Sequence, residues 1–297
     1  MAHAAEEQHA TQEPPLEFWD SHGHLHSEFA ADWVDVLAER MATRNVRKAS
    51  LTGVGLLSDH EDTDVRAGFE KHPDLFFPFL CNFDPDKPRS LDYVKHELSN
   101  GPWRGVGELF LDTTNTRCAN IPLRNGTTKA HPYPVPADKS DSAVFRHVFD
   151  LCGEKGLPVF VHCERLRFLC DVLPRHPETR FLAAHCDYRC KAENARRMLE
   201  EHDNVMCDVG PVLKHMRHNN ADDVASQALH AAWREMMRDF PDRICLGTDL
   251  YSWAAIGRAV YDRVYDAFHQ LLGHLSAEHA RWIAGGNYQR LLGEKPL

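Results

Sequence analysis

The chain is marked first by what it lacks. No stretch approaches about 18 consecutive apolar residues, which excludes a membrane-spanning helix. No C-x-x-C pair occurs, and the nine cysteines are an odd number scattered along the sequence. In a chain this long they read as reduced intracellular thiols and not as a disulfide framework. Basic charge is in deficit: 34 Lys and Arg against 44 Asp and Glu give a formal net charge of −10. That balance argues against broad nucleic-acid binding, which uses basic surfaces. There is no internal repeat and no run of consecutive histidines. The opening MAHAAEEQHATQEPP is polar and acidic and does not read as a signal peptide. Residues 1–15 are expected to form a disordered tail, 16–297 a single domain, and the protein to be cytoplasmic.

What is present is an ordinary globular composition, 43% hydrophobic and 26% charged over 297 residues. Eight short apolar runs alternate with amphipathic stretches. The runs are LEFWDSH (16–22), ASLTGVGLL (49–57), LFFPFLCNF (75–83), RGVGELFLD (104–112), LPVFVHC (157–163), RFLAAHC (180–186), NVMCDVG (204–210) and RICLGTD (243–249). Each is bounded by polar or turn residues, as buried parallel strands are. Helical spacing appears at 29–44, 89–99, 140–155, 165–173, 189–202, 223–240, 254–273 and 277–292. Such alternation indicates either a (β/α)8 barrel or an open doubly wound sheet. The segment 112–140 is the longest gap, and a loop of that length is usually functional or disordered.

Histidine is abundant, at 20 residues, but position matters more than number. His22 and His24 close the first run, two apart, so both can face one centre. Glu108 lies in the fourth run, His162 ends the fifth, His185 the sixth and Asp249 the eighth. In a barrel these are the strand ends where active sites form. His22 and Asp249 are 227 residues apart. Over seven βα steps that is about 32 per step, near the roughly 30 of such a unit. This register favours the (β/α)8 TIM-type barrel. Four imidazoles and two carboxylates suit zinc or another borderline divalent ion. The bland alternative is a set of satisfied core histidines, with Glu108 in a structural salt bridge.

At these residues the chain resembles a known family. DSHGHLH, GVGELFLD, VFVHCER, AAHCD and LGTD are similar to motifs of the amidohydrolase superfamily, and IAGGNYQRLLG resembles the close of its amidohydrolase-related branch. The resemblance implies that His22, His24 and Asp249 bind one metal, and His162 and His185 a second. Many relatives bridge the metals with a carboxylated lysine from strand four. Here Glu108 stands in that place, as in the TatD-like subgroup, whose GE-x-x-LD matches GELFLD. Two Zn²⁺ are implied if Glu108 bridges, and one if it does not.

The implied activity is hydrolysis of an ester, lactone or amide in a small molecule. Asp249 is the expected catalytic residue, taking a proton from the attacking water and passing it to the leaving group. Arg165, Arg167 and Arg189 follow strand ends and suit a substrate carboxylate or phosphate. Tyr251 is expected in the pocket wall. The rivals are a TatD-like metal-dependent deoxyribonuclease or phosphoesterase, and a mononuclear zinc decarboxylase, whose relatives lack the glutamate. A small-molecule substrate is expected, with no membrane partner and no nucleic acid, and a homo-oligomer is left open.

Overall fold

The computed structural model describes residues 15–25, 30–53, 60–113, 120–122, 128–130, 137–186, 191–210, 224–250 and 256–294. The expected tail, apart from residue 15, lies outside the described residues. Eight parallel strands run β1 (Phe18–Asp20), β2 (Val46–Leu51), β3 (Phe76–Leu80), β4 (Gly105–Thr113), β5 (Val159–Cys163), β6 (Phe181–Ala184), β7 (Val205–Asp208) and β8 (Ile244–Cys245). Their order in the sheet is their order in the chain. The helices that follow them are α1 (Ala30–Thr43), α2 (Glu61–Lys71), α3 (Ser90–Asn100), α4 (Ala143–Lys155), α5 (Leu166–Val172), α6 (Ala192–Glu201), α7 (Val224–Asp239) and α8 (Arg258–Leu272). Where β1 and β8 meet, the Ser21 N–H donates to the Leu246 carbonyl (2.8 Å) and the Asp249 N–H to the His22 carbonyl (2.9 Å). Gly23 also pairs with Leu250 in a parallel bridge. The sheet is therefore a nearly closed (β/α)8 barrel, and the open-sheet alternative falls.

Side-chain alternation sorts the strand residues into two cores. Along β5, Val159, Val161 and Cys163 join the large cluster shared with the helices. Phe160 points the other way, into a smaller cluster with Trp19, Phe77, Phe79, Leu182, Ala184 and Cys245. Tyr288, Leu291 and Leu292 complete that inner cluster from the C-terminal helical segment. This segment runs Ala277–Arg281, loosens into a π-helical turn at Trp282–Gly286, and resumes at Asn287–Leu291. Gly285 lies directly against the Trp19 ring, where a Cβ would collide.

Two elements differ from the sequence reading. Helix α2 carries no apolar stripe: its buried residues are Glu61, Asp62, Val65 and Gly68. Periodicity cannot register a helix whose inward face is half carboxylate. The 112–140 segment also contains structure. Asn120–Pro122 pairs antiparallel with Thr128–Ala130, and Ala137–Asp138 pairs with the end of β4. Among the described residues no helix is long and apolar enough to cross a membrane.

Candidate metal centre

The six residues expected as ligands all sit at the C-terminal side of the barrel, and the structure brings them together. His22 Nε2 and His24 Nε2 are 3.0 Å apart. Asp249 Oδ1 lies 3.6 Å from the first and 3.5 Å from the second. Glu108 reaches both sides of the cluster. Its Oε2 is 3.4 Å from Nε2 of both His22 and His24. Its Oε1 is 3.2 Å from His162 Nδ1 and 3.7 Å from His185 Nε2. Two trios of these residues, His22–His24–Asp249 and Glu108–His162–His185, each hold their donor atoms within 4.8 Å of one another, and His22, His185 and the buried Asp208 form a third such group.

Local structure aims these atoms inward. His24 Nδ1 donates to the Gly53 carbonyl (2.9 Å), so the neutral ring turns its Nε2 lone pair inward. Trp33 of α1 fixes the same residue by donating Nε1–H to the His24 carbonyl (2.7 Å). The Glu108 N–H donates to Thr52 Oγ1 (3.0 Å), so the residue that follows β2 holds the Glu108 peptide. Gly107, at φ 136°, lies so close to β5 that a Cβ would strike the Phe160 carbonyl. The His22 ring stands edge-on to Phe160, with centroids 4.6 Å apart, and Phe110 covers His162 at 4.9 Å. His185 and Asp249 both occupy the left-handed region, at φ 66° and 48°. Non-glycine residues held there cost energy and concentrate at functional sites.

Charge in the cluster asks for a cation. Burial opposes the imidazolium of His22, yet the carboxylates of Asp208, Glu108 and Asp249 hold its pKa well above the ordinary value. His24 is pushed up to about 9, with Asp249 and Glu108 outweighing burial. His162 also rises to about 9, through Glu108 and Glu164. Burial, with His22 and His162 close by, takes His185 down to about 4. Glu108 falls well below the carboxylate range: burial is outweighed by His22, His162 and His24. The inward lone pairs of His22 and His24 would repel at 3.0 Å without positive charge between them. Separations of 3.0 to 3.7 Å suit donor atoms shared by one ion at about 2.0–2.2 Å from each. The residues therefore fit divalent metal.

The proposed substrate residues are placed differently. Arg165 Nε donates to both oxygens of the buried Asp112 carboxylate (2.9 and 3.1 Å), and its N–H donates to Asp112 Oδ2 (2.9 Å). This guanidinium is tied to the end of β4. Arg167 is exposed, with its guanidinium over the Phe168 ring at 4.8 Å. Arg189 and Tyr251 lie outside the described residues.

Three buried carboxylates at the site escape the sequence reading. Asp208 Oδ2 accepts from His22 Nδ1 (3.0 Å). Asp20 accepts from the His22 and Thr248 N–H groups (3.0 and 2.9 Å) and from Thr248 Oγ1 (2.7 Å). Glu164 Oε1 lies 3.6 Å from His162 Nε2. Asp208 lies in the seventh apolar run, which like the second and third was given no role; a carboxylate near the end of that run was the available signal.

A model of the amidohydrolase family matches residues 19–293. The chain belongs to that family. Solved structures carry the same fold at low identity. An amidohydrolase from Burkholderia multivorans with bound HEPES superposes with a TM-score of 0.65 at 14% identity, covering 94% of this chain and 100% of that one. A zinc-bound form from the same organism gives 0.64 at 14% identity, with coverages of 94% and 100%. A dihydroxybenzoic acid decarboxylase from Polaromonas sp. JS666, with manganese and 2-nitroresorcinol, gives 0.57 at 12% identity, covering 94% and 97%. Among curated proteins none matches this chain in sequence.

Proposed function

We propose that the protein is a metal-dependent hydrolase that cleaves an ester, lactone or amide bond in a small molecule. The observation that carries this reading is Glu108, whose two oxygens face the two histidine sets. A carboxylate so placed can serve two cations, and zinc is the metal proposed. His22, His24 and Asp249 would hold one, and His162 and His185 the other. Bound there, a metal pair supplies Lewis acidity and lowers the pKa of a coordinated water toward neutrality. Asp249 is the base in this scheme. At 15% side-chain exposure it is the most open member of its trio, against 0% for His22 and 3% for His24. It would take the proton of the attacking water and return it to the leaving group. Arg167, Arg189 and Tyr251 are proposed to meet the substrate, with Arg165 shaping the same wall through Asp112.

The test is Asp249→Asn in the metal-loaded protein against a panel of esters, lactones and amides. The wild type should turn over at least one class, and the variant should lose about 10²–10⁴-fold in kcat with its fold retained. Full activity in the variant contradicts the assignment.

A second reading has its own support. His22, His24 and Asp249 alone suffice for one cation. The Polaromonas relative is described as a decarboxylase with manganese. Carbon dioxide release from hydroxybenzoates, with one metal per chain, would favour a lyase.

A further inference from the structure

We infer that Asp208 is a positioning residue for the metal centre, fixing on which nitrogen His22 carries its proton. This rests on the proposal that His22 is a ligand. Asp208 ends β7 and is fully buried. Its two oxygens are used differently. Oδ2 accepts from His22 Nδ1 at 3.0 Å. Oδ1 accepts the His185 N–H at 3.2 Å and the Gly210 N–H at 3.3 Å. One carboxylate thus sets the ring of one proposed ligand and the backbone of another, 163 residues apart in the chain.

A carboxylate can only accept, so Nδ1 must hold a proton, and the neutral ring that binds metal then presents the Nε2 lone pair toward His24 and Glu108. The partner His24 is fixed by a neutral carbonyl, that of Gly53. His22 is instead backed by a full negative charge, which makes its ring a stronger donor to a metal. The pair has no slack. A Cβ on the neighbouring Gly247 would fall 2.5 Å from His22 Cβ and 3.2 Å from Asp208 Cγ.

This arrangement makes asparagine an informative substitution. In Asp208→Asn the two backbone N–H groups both require the amide oxygen. The NH₂ group then faces His22 Nδ1, which must become an acceptor. The proton moves to Nε2 and blocks the lone pair. Asparagine should therefore be at least as harmful to metal binding as alanine, although it is nearly isosteric with aspartate. A merely structural role predicts the reverse order.

The experiment measures zinc affinity by chelator competition on the full-length wild type, Asp208→Asn, Asp208→Ala and His22→Ala. Thermal unfolding of each metal-free protein serves as the fold check. His22→Ala and Asp208→Asn should each lose about 10–100-fold in affinity, with Asp208→Asn no better than Asp208→Ala. Near-normal affinity in Asp208→Asn, beside a loss in His22→Ala, overturns the inference while leaving the metal centre intact. No loss in His22→Ala overturns the metal reading itself. Should the variants not fold, ¹⁵N-histidine spectra of the zinc-loaded wild type decide. A His22 proton on Nδ1 supports the inference, and a proton on Nε2 overturns it.

Discussion

Two acidic side chains show how burial alone does not define a carboxylate's role. Glu108 is surrounded by imidazoles and held well below the usual range, so it stays charged and able to meet cations. Glu108→Gln keeps the shape but removes the charge between the two trios. Metal analysis should fall from about two zinc ions per chain to one or fewer; two ions retained would remove Glu108 from the bridge. Asp62 is the opposite case. It accepts from the Cys81 and Asn82 N–H groups and from the Tyr93 hydroxyl, yet burial pushes it up to about 6. A carboxyl with a folded pKa above its unfolded value of about 3.9 favours the native state at low pH, and that stabilisation is lost as pH rises toward 6. Asp62→Asn can keep the hydrogen bonds without titrating. Its melting temperature relative to wild type should therefore rise between about pH 4 and pH 6 and then level off. A difference independent of pH contradicts this. The behaviour of Asp62 was not legible beforehand, because in sequence it is one acidic residue among 44 and no helix was read around it.

At the scale of elements, the ends of β1 and β8 carry the most consequence. The strands are three and two residues long, too short to close the barrel by ladder bonds alone. Asp20 joins them: it binds the His22 N–H on one side and the Thr248 N–H and hydroxyl on the other, with the Tyr265 hydroxyl 3.3 Å away. Asp20→Ala leaves two buried N–H groups without this acceptor and should cost about 3 kcal/mol in chemical denaturation. A loss under about 1 kcal/mol would show that the junction holds without it. The strands themselves were legible because each is an apolar run stopped by polar residues. The junction was not, since Asp20 and Thr248 are 228 positions apart and nothing local joins them. Helix α2 was missed because it buries Glu61 and Asp62 where a stripe of leucines would have announced a helix.

For the whole molecule, the barrel converts strand ends spread from His22 to Asp249 into one cluster of donor atoms. Sequence spacing anticipated the six converging residues, since polar ligand types at the ends of apolar runs are conspicuous. It did not anticipate their supports, Asp208, Asp20 and Thr52, which act across strands that only the closed fold makes neighbours. Arg165 was conspicuous too, but the fold gives it to Asp112, an ion pair that local sequence cannot reveal. Substrate choice belongs to the loops above this frame, as barrel enzymes vary chemistry by loop and not by core. The proposed chemistry depends on a pair of cations on either side of Glu108. Anomalous diffraction at the zinc edge from crystals of the zinc-loaded protein tests it most directly. Two peaks are expected, one among His22, His24 and Asp249 and one beside His162 and His185, with Glu108 between them. A single peak, or none within reach of Glu108, would contradict it.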